Sequence, residues 1–368
     1  MSKKAYAVQN GITKKIRKFY AVIGGTARKL RREYVVLNGV TRPFWTGGEV
    51  AYYGADRLYV NAGYPAYANT PKYAIFHGGL GSSDPVQYMT AFDATLVKTN
   101  KFIDGRYEHA GGCIGKTAIF AGGRYSASSS NVTSKTEAFD ETLTSLDCPG
   151  LRKSRCNLAG ANAGAYLVFS GGEVVSGAGS STAQDTAYGD AYTESLTQIA
   201  VDMSVEDRGW NGATLPSYAL FVSRGIANAF NSSLTRSLPA SADVYTDIYS
   251  GTELHGKAMF ADENGNLQVY NSDLTKTVAS GLSAARGAYG CTTLDEWAIF
   301  AGGHISGGPA NYQTSVEAFD DELTRITLTS LSDGRYDLSG AHVGDFAFFA
   351  GGYTSGMKLT SLVDIYRI

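Results

Sequence analysis

One short pattern recurs along most of this chain: an apolar run that carries a phenylalanine and closes on two glycines. It reads Tyr73-Ala-Ile-Phe-His-Gly-Gly79, Thr117-Ala-Ile-Phe-Ala-Gly-Gly123, Tyr166-Leu-Val-Phe-Ser-Gly-Gly172, Trp297-Ala-Ile-Phe-Ala-Gly-Gly303 and Phe346-Ala-Phe-Phe-Ala-Gly-Gly352. Two copies lack the glycine pair, Tyr218-Ala-Leu-Phe-Val-Ser-Arg224 and Lys257-Ala-Met-Phe-Ala-Asp262. A short apolar run that ends in glycines reads as a buried strand. A second strand follows and runs into a turn, as in Ala91-Phe-Asp-Ala-Thr-Leu96, Ala138-Phe-Asp-Glu-Thr-Leu143, Ala229-Phe-Asn-Ser-Ser-Leu234 and Ala318-Phe-Asp-Asp-Glu-Leu323. Asp or Asn opens such a turn because its side chain bonds the backbone two residues on.

The runs centre on Phe76, Phe120, Phe169, Phe221, Phe260, Phe300 and Phe349. Seven copies between Glu49 and Ile368 leave about 46 residues each, the length of one four-stranded propeller blade. Four copies also place an arginine 16 residues before the first glycine: Arg106, Arg155, Arg286 and Arg335. A fixed offset beside loops of variable length implies a constant blade skeleton. The arginines and the turn aspartates Asp93, Asp140 and Asp320 are expected to serve that skeleton, paired between or within blades. The last strand, Val363 to Ile368, lacks a fourth partner in its blade. The segment around 49–60 has strand composition and is expected to close it, so that no long edge stays exposed.

Composition agrees with an all-β chain. Glycine supplies 44 of 368 residues, aromatic residues 12% and charged residues only 18%, which excludes disorder and a coiled coil. The glycines lack the period of collagen, and no apolar run is long enough for a membrane-spanning helix. The four cysteines form neither a disulfide framework nor a CxxC metal motif. The start, Met1-Ser2-Lys3-Lys4 followed by a run broken by Gln9, Asn10 and Gly11, does not read as an export signal.

Charge separates two modules. Residues 1–42 hold eleven lysines and arginines against Glu33 alone, in a chain whose net charge is −2. This basic region repeats every 14 residues: KAYAVQNGITKKIR, KFYAVIGGTARKLR, REYVVLNGVTRPFW. Each unit reads as strand, two-residue turn, strand, with turns at Asn10-Gly11, Gly24-Gly25 and Asn38-Gly39. Hairpins in series with few apolar groups need a partner surface. Residues 1–45 are therefore expected to be a docking arm, with Tyr6, Lys14, Arg17, Tyr20, Arg28, Arg31, Tyr34, Arg42 and Trp45 as its contacts. A small extension packed on its own domain is the alternative. Nucleic acid is not the expected partner, because the basic groups sit at fixed repeat positions.

The Gly-Gly after four or five mostly apolar residues resembles the Kelch repeat, over about 320 residues. The late tryptophan usual in that repeat is missing: Trp45, Trp210 and Trp297 do not recur in register. The basic hairpins, typified by Tyr20-Ala-Val-Ile-Gly-Gly-Thr-Ala-Arg-Lys29 and ending in Arg42-Pro-Phe-Trp45, are similar to the openings of bacteriophage and prophage proteins of Gram-positive hosts. The expected fold is an all-β, seven-bladed Kelch-like β-propeller over 46–368, preceded by a short N-terminal arm of β-hairpins. The resemblance implies a virion component, made in the bacterial host cytoplasm and present in multiple copies. The arm would hold other virion proteins, and the propeller would face a host surface or glycan.

No catalytic motif stands out. GxSxG, HExxH, a P-loop and sialidase boxes are absent from the sequence. Enzyme activity, a cofactor, a metal and a membrane association are not expected. His109, His255 and His342 lie near innermost strands and are read as separate structural histidines, although three imidazoles in a channel could bind a metal. The loops after the glycine pairs are rich in Ser, Gly, Asn and Tyr, suited to adaptable recognition. They nominate Arg124, Tyr125, Asn131, Tyr188, His304, Asn311, Tyr312, Tyr353 and Lys358 as ligand contacts. A cellular Kelch-type interaction module and a glycan-active propeller enzyme remain the alternative functions.

Overall fold

A computed structural model describes residues 5–368 except 10–11, 17–18, 24–25, 31–32, 38–39, 46–49, 127–130, 176–182, 208–210, 224, 241–247, 263, 288 and 306–310. Side chains are described from residue 50 onward, without those gaps and their immediate flanks at 175–185, 204–210 and 241–249. The described residues contain strands and turns and no α-helix. They fall into two compact units, Met1–Ala51 and Tyr52–Arg367.

The larger unit is a seven-bladed β-propeller. Each blade is an antiparallel sheet, and in blades 1 to 6 its strands come from one continuous stretch of chain. Blade 2 shows the plan: Ala110–Ile114 innermost, then Thr117–Ala121, Thr136–Phe139 and Ser145–Leu146 outermost. The recurring Phe run is always the second strand, buried throughout in Thr117–Ala121 because neighbouring blades cover both its faces. The apolar cores accordingly lie between blades. One joins Ile75 and Met89 of blade 1 to Phe120 and Phe139 of blade 2. Another joins Phe76 and Phe92 of blade 1 to Phe348 and Val363 of blade 7, with Phe92 and Phe348 stacked at 5.0 Å.

The arginines are framework, but their partners are not the turn aspartates. Arg106 pairs with Glu137 at 2.9 Å, Arg155 with Asp190 at 2.8 Å, Arg286 with Glu317 at 3.1 Å and Arg335 with Asp364 at 2.5 Å. All four guanidinium groups are buried. Each acid lies on the third strand of the arginine's own blade, and in blades 2, 3 and 6 it stands three residues before the turn position. Where a blade has no such arginine, that position is neutral: Thr90, Asn228 and Gln268. Three of these arginines also bond a second-strand carbonyl 14 residues on, Arg106 to Phe120 at 3.0 Å, Arg155 to Phe169 at 3.2 Å and Arg335 to Phe349 at 3.3 Å. That bond explains the constant offset to the glycines. The turn aspartates cap their own loops instead. Asp140 Oδ1 accepts the N–H groups of Thr142 and Thr144 at 2.8 and 2.9 Å.

The glycine pair joins blade to blade. Gly122 and Gly123 have φ of 72° and 97°, and the Gly123 N–H donates to the Arg155 carbonyl at 2.9 Å. A Cβ on Gly122 would lie 2.5 Å from that same carbonyl. Gly79 donates likewise to Arg106 and Gly303 to Arg335. Gly352 of blade 7 donates to Ala62 ahead of blade 1 at 2.8 Å, so one repeated bond also closes the ring. The fourth strand of blade 7 is Ala51–Arg57, paired with Leu362–Arg367. The Tyr52 hydroxyl donates to Asp364 at 3.0 Å, and the Leu58 N–H to the Ser361 carbonyl at 2.7 Å.

The N-terminal unit contains three hairpins: Ala5–Gln9 with Ile12–Ile16, Phe19–Ile23 with Thr26–Leu30, and Glu33–Leu37 with Val40–Trp45. The repeat keeps its register. Lys14, Arg28 and Arg42 pair with Ala7, Ala21 and Val35, and only the third hairpin shifts, between Glu33 and Tyr34. Tyr6, Tyr20, Tyr34 and Trp45 lie on these strands. Arg17, Arg31 and the three nominated turns lie outside the described residues.

Candidate functional site

In the five blades that keep the glycine pair, the second strand leaves through it beside the segment that enters the blade's inner strand. The residue after the pair therefore lies beside an entry segment. The structure records these bridges as Leu80 with Gly63, Arg124 with Tyr107, Glu173 with Cys156, His304 with Gly287 and Tyr353 with Tyr336. The next residue of the entry segment is left-handed: Tyr64, Glu108, Asn157 and Asp337, with φ of 49°, 55°, 55° and 54°. Bulky non-glycine residues rarely hold this conformation, and such positions cluster at functional sites. Adjacent entry segments are linked through the backbone, Tyr64 N–H to the Asp337 carbonyl at 3.2 Å and Asn157 N–H to the Glu108 carbonyl at 2.9 Å. Four consecutive blades thus present a rim of Asp337, Tyr64, Glu108 and Asn157.

At blades 2 and 3 the rim acids are engaged internally. The Arg124 guanidinium touches Glu108 at 2.5 Å, Cys156 Sγ at 2.9 Å and Glu173. Glu108, Cys156 and Glu173 have the mutual spacing of a metal site, and the arginine engages all three ligand atoms. Burial pushes the Glu108 carboxyl and the Cys156 thiol up from their ordinary values. The Asn157 amide donates to Glu173 at 3.1 Å. Arg124, nominated as a ligand contact, is thus engaged by the protein's own acids.

At blades 6, 7 and 1 the rim is aromatic. Tyr336 stacks on Tyr353 at 5.1 Å and 22°, and Tyr312 leans on Tyr336 at 4.7 Å. Tyr64 meets Tyr353 edge-on at 5.9 Å, and His304 lies against Tyr336 at 5.4 Å. Half-buried Asp337 is bonded by the Tyr64 hydroxyl, and burial raises its carboxyl to about 7.

A groove of about 1170 Å³ runs along this face past blades 7, 1 and 2, lined by Val60, Asp84, Tyr125, Tyr353, Met357 and Lys358 among others. The Tyr125 hydroxyl donates to Asp104 at 3.0 Å, and Lys135 holds the same carboxylate at 2.6 Å. Tyr125, Tyr353 and Lys358 therefore share one groove. Tyr312 and His304 join the tyrosine row. Tyr188 lies apart on strand Ala183–Thr193, beneath the Arg152 guanidinium at 5.4 Å. Exposed Asn131 bonds Ser126 at 2.6 Å, and the Asn311 carbonyl accepts from Ile305 and Gln313.

The central channel holds about 400 Å³ of space. One side chain per blade rings it at one level: Asn69, Cys113, Asn162, Thr214, Glu253, Thr293 and His342, each paired with the second residue of its second strand. These groups latch neighbouring blades: the Asn162 amide donates to the Cys113 carbonyl at 2.7 Å, and the His342 N–H to Asn69 Oδ1 at 2.9 Å. The three histidines with metal potential are apart. His109 bonds buried His77 at 2.9 Å, His342 bonds Thr292 at 3.1 Å, and His255 approaches Glu296 and Asp321 at 3.9 and 3.7 Å.

The class is therefore a closed seven-bladed β-propeller, a fold consistent with an interaction or recognition module. No protein-family model matches the chain, and no curated protein is detectably similar to it in sequence.

Proposed function

We propose that the protein is a non-enzymatic recognition propeller carried on a separate anchoring arm, and that the particle it serves is a bacteriophage or prophage virion. The observation that carries the recognition reading is the glycine-pair face, where Tyr125, Tyr353 and Lys358 line one groove beside a row of tyrosines. Tyrosine and lysine there offer ring faces and a mobile charge to a ligand, at little ordering cost for the rings. A binder is favoured over a glycan hydrolase because the close carboxylates of this face, Glu108 and Glu173, share the Arg124 guanidinium. A hydrolase needs a carboxyl pair open to substrate.

The anchoring half of the reading rests on three repeated hairpins in their own compact unit, with their basic residues at repeat positions. Its partners would be other virion proteins, with the propeller turned to a host-surface glycan or polymer. Deleting residues 1–45 tests the anchor: the remaining chain is expected to fold and bind host envelopes but to stay out of particles. Full incorporation of the truncated protein would overturn it. Tyr125→Ala and Lys358→Ala in the full chain test the face. Both should weaken envelope binding with melting temperature unchanged, and unaltered binding would remove the groove from the reading.

A further inference from the structure

Blades 2 and 7 place the same parts in the same positions but differ at one of them. In blade 2 the left-handed rim residue is Glu108, and the residue after its glycine pair is Arg124, which pairs with it. In blade 7 the rim residue is Asp337, and the residue after the glycine pair is Tyr353. Blade 2 carries its own cation, whereas blade 7 puts a phenol ring where the guanidinium would be. Asp337 takes a hydrogen bond from the Tyr64 hydroxyl and sits among the rings of Tyr64, Tyr336 and Tyr353. Tyr64 is 41% exposed, so the place is open to solvent.

We propose that this tyrosine row and Asp337 form a binding site for an organic ammonium group. Ring faces carry negative potential and attract a cation set over them. The carboxylate supplies the opposing charge in surroundings partly removed from water, where such attraction is stronger than in bulk. A neutral sugar would stack on the rings without drawing on that charge, whereas a bound cation would favour the ionised form of the Asp337 carboxyl. The left-handed backbone at Tyr64 and Asp337 aims both residues at one spot, and Gly63 makes room for it. A Cβ on Gly63 would lie 2.8 Å from the Tyr353 ring. The site deepens the recognition reading of this face by naming what part of it holds.

The test uses the purified full chain and four small probes: tetramethylammonium, n-butylammonium, and the neutral tert-butanol and n-pentanol. Binding is followed by calorimetry and by the tyrosine ring signals in NMR. The ammonium probes are expected to bind and the alcohols not, and the stronger of the two cations identifies a quaternary or a primary amine as the natural group. Tyr353→Arg installs the blade 2 arrangement and should fill the site with the protein's own guanidinium, lowering ammonium affinity at least tenfold with the melting temperature held. Asp337→Asn should do the same, since asparagine also accepts the left-handed backbone. Tyr64→Phe keeps the ring and should retain binding. Equal binding of alcohols and cations, undiminished affinity in Tyr353→Arg, or no ammonium binding at millimolar concentration would each overturn the proposal. Should envelope binding persist while ammonium binding is absent, only this inference falls. Should envelope binding be absent while ammonium binds, only the recognition reading falls.

Discussion

At the scale of residues, the buried ion pairs are the plainest determinant of stability. Removing one partner of such a pair leaves an uncompensated charge and costs about 3–5 kcal/mol. Arg335→Ala is therefore expected to lower unfolding free energy by about that much. Adding Asp364→Thr should recover part of the loss, because blade 1 makes do with Ala62 and Thr90 at the two equivalent positions. Chemical denaturation of the single and double variants checks both. The histidine pair makes a second case. Burial lowers His77 to about 4 and His109 well below its ordinary value, so both are neutral in the folded protein. The unfolded chain takes up their protons once pH drops below about 6.5. Stability should thus fall with acid between about 6.5 and 4. His77→Ala with His109→Leu restores the residues found in the sister blades, Ala121 with Leu158 and Ala301 with Leu338. The double variant should show a shallower loss of melting temperature across that range. The histidine contact joins two blades and left no mark in the sequence. The arginine partners did leave one. An acid stands at one third-strand position in each blade that has the arginine, and a neutral residue stands there in the others. That mark is masked because the acid alternates between Glu and Asp, whereas the turn repeats a single Phe-Asp pair at Asp93, Asp140 and Asp320.

At the scale of elements, the glycine pair and the Phe run were legible because they recur. The pair is required at each copy by positive φ and by a neighbour's carbonyl at the would-be Cβ. Gly122→Ala should destabilise by about 2 kcal/mol or more, from the left-handed backbone and the approach to Arg155 together. The loss should appear in denaturation without change in groove binding. The segment after Gly172 has the composition of a recognition loop, and the structure flanks it with paired strands Glu173–Val175 and Ala183–Thr193. Its Ser- and Gly-rich middle hid the strand pattern on either side. The rim was illegible for a different reason. Tyr64, Glu108, Asn157 and Asp337 share a backbone conformation but no residue type, and only coordinates align them. Of the nominated contacts, Tyr125, Tyr353 and Lys358 meet in one groove because the repeat brings their loops to one face.

At the scale of the whole propeller, the seven blades act as a ring of like seams. Apolar clusters fill the seams from blade 7 through blade 1 to blade 6, and the Gly79, Gly123, Gly303 and Gly352 N–H groups repeat one backbone bond across four seams. Blades 4 and 5 have neither the pair nor the arginine. Their seams are expected to open first, which hydrogen exchange would register as lower protection of strands Tyr218–Ser223 and Lys257–Asp262 than of Thr117–Ala121.

The joining of Ala51–Arg57 to Leu362–Arg367 also has a consequence in time. The ribosome makes the first of these strands some three hundred residues before its mate. Until the mate emerges, the early strand is a single, tyrosine-bearing ribbon with nothing to hydrogen-bond. A nascent chain halted short of Leu362 would remain an unlatched crescent, with two sticky borders in place of one continuous circle, and should aggregate rather than accumulate in soluble form.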